Sequence, residues 1–297
     1  MSDTSDNASS PAGPATRGSG YVHAPNRREA LGALAASLVL GLTACSGSGT
    51  QPSRTGPGFA AGPLPPGAGL SAGSAGPVSR PSAAAPKVAK PYVPDFQLPP
   101  VRDGLAPVLT SVPTRHPVVF LTIDDGITKN PAMVALMKSH GYRASLFLTR
   151  NFVRGNPDFF RELTSLGSVV ENHTVSHNTA MVAELDYAGQ LAEIAGMQDY
   201  ARQVYGRSPA LFRPPGGAYS TTMRRAAAAA GLKAVVDWKA KANAGRMDYQ
   251  VGNALRPGDI VLMHFRPEFA ADLAAFRQAH LAAGLEVVLL EEFLGVL

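Results

Sequence analysis

From Pro94 to Leu297, short apolar runs alternate with longer stretches of helical periodicity, in about seven repeats. Continuous apolar strands are buried on both faces, and joining them through helices makes neighbouring strands parallel. Val118–Ile123 is the clearest such run. Asn130-Pro131 then predicts an N-cap with Pro in the first turn, and Gly141 predicts the stop. Asn156-Pro157 and Gly167 repeat that punctuation. Ala144–Leu148, Val169-Val170, Leu211-Phe212, Lys233–Trp238, Ile260–Met263 and Leu285–Leu290 read as the remaining strands. Helices are expected from Asp186 to Tyr205, from Ser220 through Ala230, and from Pro267 to Ala283. The fold class is therefore α/β. Seven or so units of roughly 25–30 residues suit a distorted (β/α)7-type barrel, although periodicity alone does not decide closure.

Residues 1–93 have a different composition, rich in Gly, Pro, Ala and Ser. Of the formal charge of +5, seven Lys/Arg against three Asp/Glu lie in this segment, and twenty against nineteen lie in 94–297. The folded part is nearly neutral, which argues against nucleic acid as a partner. Arg27-Arg28 precedes an uncharged run, Ala30–Ala44, that is shorter than the ~20 residues needed to span a bilayer. It reads as the core of a signal peptide, 1–44, with the paired arginines resembling a twin-arginine signal. Leu42-Thr43-Ala44-Cys45 resembles a bacterial lipobox, in which Cys45, the sole cysteine, would be lipidated. Residues 45–93 then form a tether with too few large apolar residues to order itself. The expectation is an exported, lipid-anchored monomer on the outer face of the cytoplasmic membrane, with its globular domain over 94–297.

Four polar groups fall at the C-terminal ends of expected strands: Asp124-Asp125-Gly126, His173-Thr-Val-Ser-His177, Arg213-Pro-Pro-Gly-Gly217 and His264. In parallel α/β folds that rim is where sites are assembled. Adjacent carboxylates at the end of an apolar strand repel unless a cation or shared proton compensates. His173 and His177, four apart, would share one face of a helical turn within reach of one metal. With one carboxylate they make three protein ligands, which leaves positions open for water and substrate. The residues alone do not say which aspartate ligates. Two His and one Asp suit Zn²⁺, with Co²⁺, Ni²⁺, Mn²⁺ or Fe²⁺ as alternatives. Arg213 is a candidate partner for a carboxylate.

Thr122-Ile-Asp-Asp-Gly126, His173-Thr-Val-Ser-His177, Arg213-Pro-Pro-Gly-Gly217 and Leu262-Met-His264 resemble, in order, motifs of the polysaccharide deacetylases, the NodB homology domain. The resemblance implies a barrel of that family's kind, acting on an N-acetylated envelope polysaccharide such as peptidoglycan. It implies Asp124 as general base, Asp125 as metal ligand with His173 and His177, His264 as general acid and Arg213 as the group holding the base. Gly216 and Leu262 would line the substrate and oxyanion position. Gly216 stands where the family often has an aromatic residue. Trp238 is followed by Lys-Ala-Lys-Ala-Asn243 with no acid at the usual offset, leaving Asp237 or Asp248 to tune His264. Two alternatives stand beside this reading: a non-catalytic glycan-binding lipoprotein on the same scaffold, and a hydrolase of another acyl amide or ester.

Overall fold

The structure, a computed structural model, describes residues 92–297. The expected signal peptide, Cys45 and the expected tether up to residue 91 lie outside the described residues. A short strand β1 (Val108–Leu109) leads into β2 (Val118–Asp125), all eight residues of which are buried. Next come α1 (Pro131–His140), β3 (Ser145–Leu148), α2 (Arg150–Val153), α3 (Asp158–Ser165) and β4 (Val169–Asn172). Then follow α4 (Met181–Glu184), α5 (Tyr187–Tyr205), β5 (Leu211–Phe212), a 3₁₀ turn at Pro215–Gly217, α6 (Thr221–Ala229) and β6 (Ala234–Val236). The chain ends with β7 (Ala240–Asn243), β8 (Arg246–Tyr249), β9 (Ile260–His264), α7 (Phe269–Ala282), β10 (Glu286–Val288) and α8 (Leu290–Leu294).

The expected caps are in place. Asn130 accepts from Ala132 N, Asp186 from Gly189 N and Ser220 from Met223 N, and Gly141 ends α1 at φ 65°. Strand order is β1-β6-β5-β4-β3-β2-β9-β7-β8, with β10 on the β3 side of β2, and every pairing except β7–β8 is parallel. The sheet curls so that its ends meet in an irregular seam. Ser111 bridges Asp259, Val112 N donates to Gly258 O at 2.8 Å, and the chain crosses from β6 to β7 with Lys239 N donating to Ile260 O at 2.9 Å. Gly258 (φ 83°) is required there, since a Cβ would lie 1.9 Å from the Val112 carbonyl oxygen.

Alternation along β2 sorts the two cores. Val119, Leu121 and Ile123 pack outward with Met133, Met137 and Phe160 of the helices. Val118 and Phe120 pack inward with Phe147, Leu211 and Val236. Leu290, Phe293 and Leu294 join the inner cluster, so α8 plugs the end of the barrel where the strands start, and Tyr92, Phe96 and Leu98 cover that end too. Two carboxylates are buried in this base. Glu171 accepts from Ala210 N (2.7 Å), Leu211 N (2.6 Å) and Arg207 (2.9 Å), while Glu291 accepts from Ser145 Oγ at 2.9 Å. Burial raises the pKa of both, and Glu171 raises that of Glu291 further.

Three sequence expectations are corrected. The last apolar run divides into β10 and α8 instead of forming one strand: Leu285 packs in the outer core, while Leu290 opens a helix whose Phe293 and Leu294 join it in the inner cluster. A hairpin, β7–β8, follows Trp238. Its turn at Ala244 (φ 52°) and Gly245 (φ 73°) has positive φ at both central residues, the geometry of a type I′ connection, but lacks the Asn-Gly pair that advertises one. Asp124 and Asp125 do not follow β2 but are its last two residues.

Candidate active site

The four polar groups converge at the C-terminal rim. Asp124 continues the inward row of Thr122, and in register it lies beside Phe147 of β3 and His264 of β9. Asp125 turns the other way, at φ 76°, followed by Gly126 at φ 84°. A Cβ on Gly126 would lie 2.5 Å from Val153 Cγ1, so only glycine lets the chain leave β2 here.

His173 and His177 do not lie on a helical turn; that expectation is corrected. They span a loop in which Thr174 (φ 70°) and His177 (φ 61°) are both left-handed. For a β-branched threonine this is a strained state, held by its surroundings. Asn172 Oδ1 accepts from Thr174 N (2.9 Å), Thr174 Oγ1 accepts from His177 N (3.1 Å), and Glu193 Oε2 accepts from Ser176 N (2.9 Å). The loop still brings the two imidazoles together, with ring centroids 5.0 Å apart. Asp125 Oδ1 is 3.5 Å from His173 Nε2 and 3.0 Å from His177 Nε2.

One ligand atom from each of Asp125, His173 and His177 fits within a 4.8 Å cluster. Two observations suit this trio to a divalent cation. Asp125 Oδ1 is buried and accepts no hydrogen bond. His173 Nδ1 lies 2.7 Å from the carbonyl oxygen of Arg213, which can only accept, so the proton is on Nδ1 and the Nε2 lone pair faces the cluster. Burial opposes the charge on Asp125, but His173 and His177 overcome it and hold the carboxyl well below the usual range.

Arg213, fully buried, ties the site together. Its Nη1 donates to Thr122 Oγ1 and to Asp124 Oδ1, both at 2.7 Å. Nε and Nη2 donate to the carbonyls of Val236 and Asp237, both at 3.2 Å, and the guanidinium carbon lies 4.3 Å from the centre of the Phe147 ring. Side chain and backbone thus position Asp124 and His173 at once. Asp124 Oδ2 faces the cluster, 3.7 Å from His173 Nε2. His264 is mostly buried, and that burial pushes its pKa down to about 4 against the pull of Asp124 and Asp125. Neither Asp237 nor Asp248 is among the main influences on it.

Gly216 sits exposed on the rim at φ 69°, and Leu262 is buried in β9. Gly217 (φ 75°) backs onto Trp238, with no room for a Cβ, which would lie 2.8 Å from Trp238 Cη2. Sequence reasoning missed Glu193, which lies on α5 and has no local signal. It also missed Arg266, two residues beyond His264.

Residues 111–235 match the family model for polysaccharide deacetylase, a stretch that includes every residue named above up to Gly217 and stops short of His264. An uncharacterised protein of Streptomyces coelicolor is 40% identical over 196 residues, covering 64% of this chain and 78% of that one. A peptidoglycan-N-acetylglucosamine deacetylase of Bacillus cereus is 28% identical over 166 residues, covering 53% of this chain and 59% of its own length. A CE4 family pseudoenzyme from Bacillus anthracis shares the fold at a TM-score of 0.54 and 19% identity, over 64% of this chain and 69% of that one. Its likeness speaks to the fold alone, and activity has to be argued from the site. Fold, ordered motifs and sequence agree that the chain belongs to the polysaccharide deacetylase family.

Proposed function

We propose that the protein is a metal-dependent N-deacetylase of a cell-envelope polysaccharide, with peptidoglycan as the first candidate substrate. The observation that carries this is the meeting, on one rim, of the Asp125–His173–His177 trio with Asp124, which Arg213 holds, and with His264 on the adjacent strand.

Asp125, His173 and His177 would hold the cation, Zn²⁺ by the donor set, with Co²⁺, Ni²⁺, Mn²⁺ and Fe²⁺ distinguished by titration. When bound, such an ion polarises a carbonyl and lowers the pKa of water. Asp124 has one oxygen occupied by Arg213 and presents the other to the cluster, placed to accept a proton from water as its oxygen attacks the acetamide carbon. Gly216 N–H, in its left-handed turn on the rim, is the proposed donor to the oxyanion, and Leu262 lies in the floor. The C–N bond then breaks and the amine takes a proton. Burial disfavours the charged form of His264, so in this reading it donates after receiving a proton, with Asp124, beside it in register, as the proposed source. Because its imidazole is a weak base, its protonated form is a strong acid suited to an amine leaving group. The products are acetate and a free amino sugar.

The test is acetate release from peptidoglycan and from N-acetylglucosamine oligomers by the metal-loaded protein, with Asp124→Asn and His177→Ala alongside. Metal-dependent release lost in both variants establishes the reading; metal binding without release refutes it. Export with a lipid on Cys45 is proposed from the lipobox alone. Its check is whether Cys45→Ala moves the protein from the membrane to the soluble fraction.

A further inference from the structure

Among the described residues no carboxylate lies within ion-pair distance of Arg266. It follows the acid candidate His264 by two residues, its N–H donating to His264 O at 3.0 Å, and its side chain is half-buried at the rim. Its one side-chain hydrogen bond is long, from Nη1 to Asn243 Oδ1 at 3.5 Å, and among the described residues it makes no ion pair. The nearest acid whose charge it influences, Asp272, is engaged with Gly245 N at 2.8 Å.

Asn243 belongs to the same surface. Lys241 lies beside Leu262 in the parallel β7–β9 pair, so Asn243, two residues on, continues alongside His264. A floor of Leu262, His264 and Asn243 therefore runs from the catalytic rim to the guanidinium of Arg266. The Arg266 guanidinium, partly withdrawn from water and held only by one long bond, keeps donors to spare, and a carboxylate matches its planar fork. On the opposite side of the rim Gly216 presents no side chain of its own, and its nearest neighbour is Thr179.

We propose that Arg266, steadied by Asn243, is a subsite for a carboxylate carried on the sugar next to the acetylated one, so that the protein selects anionic N-acetylated glycans over neutral ones. This inference deepens the deacetylase reading and rests on it.

The experiment compares an oligomer of alternating N-acetylglucosamine and N-acetylmuramic acid with an N-acetylglucosamine oligomer of equal length. The full-length metal-loaded protein is used, and both kcat/KM and Kd are measured. One charge-assisted contact should favour the anionic oligomer on the order of tenfold or more. Arg266→Gln should bring both ratios close to one and Arg266→Lys should restore part, whereas Arg225→Gln on the outer face of α6 should keep them. Taking the ratio cancels any effect of Arg266 on His264 that is common to both substrates. A wild-type ratio near one, or a ratio that survives in Arg266→Gln, overturns the subsite. Absence of acetate from either oligomer, with an Arg266-dependent Kd ratio intact, instead sinks the deacetylase reading and leaves the subsite standing.

Discussion

Replacing Arg213 with methionine removes the charge facing Asp124 while keeping an apolar chain against Phe147. Removing one member of a buried ion pair costs about 3–5 kcal/mol, mainly because the other charge is left uncompensated. The Val236 and Asp237 carbonyls also lose a donor, at roughly 1–3 kcal/mol each where no water replaces it. A loss of at least about 5 kcal/mol follows for Arg213→Met. Asp124→Asn alone strands the guanidinium instead, at about 3–5 kcal/mol. The double variant has neither stranded charge and should recover roughly 1–3 kcal/mol relative to the sum of the single losses. For a domain of this size, about 2–4 °C in Tm accompanies each kcal/mol. Thermal unfolding of the four proteins in chelator gives the coupling directly, with Arg213→Lys as a milder replacement should the methionine variant not fold. Strictly additive losses would refute the idea that Arg213 and Asp124 act as one unit.

Gly217→Ala and Gly216→Ala both place a side chain at positive φ, at about 1–2 kcal/mol. Only the first meets the Trp238 ring, so it should lose a further ~1–3 kcal/mol, and equal Tm shifts would contradict the packing described. Glu291 has a raised pKa in the folded state, so the native protein keeps a proton that the unfolded chain gives up above pH 4.5. Its contribution to stability is full below that value and fades as pH rises through the raised one; Tm should fall from acid to alkaline pH, and Glu291→Gln should flatten that slope. His177→Ala should weaken metal binding on the order of a hundredfold or more in a chelator competition, and an affinity within a few-fold of wild type would remove His177 from the ligand set.

Much of this architecture was legible because its signals are local. Asn130, Asp186 and Ser220 announce their helices through side chains that cap within three residues. The four polar groups could be assigned to one rim because parallel strands all end on the same side. What escaped depends on distant partners. Four-residue spacing suggested a helical turn for His173 and His177, whereas Asn172 and Glu193 hold that backbone in a strained loop, and Glu193 is sixteen positions beyond His177. Leu285–Leu290 is apolar enough for strand or helix, and the open base of the barrel decided between them. Which aspartate meets both histidines depends on Asp125 leaving the strand at φ 76°, while Asp124 keeps the inward row of Thr122 and is held by Arg213.

Tyr92, Phe96 and Leu98 cover the base of the barrel, and His116 Nε2 lies 2.8 Å from Val93 O just before β2 begins. The polypeptide therefore joins this domain at the pole opposite the reactive rim. If Cys45 is fixed at a membrane, residues 46–92 limit the distance from that surface to the base to about 170 Å at full extension. Under the lipid-anchor proposal, shortening that segment would change how far the rim can reach from the membrane without altering a single residue of the candidate site.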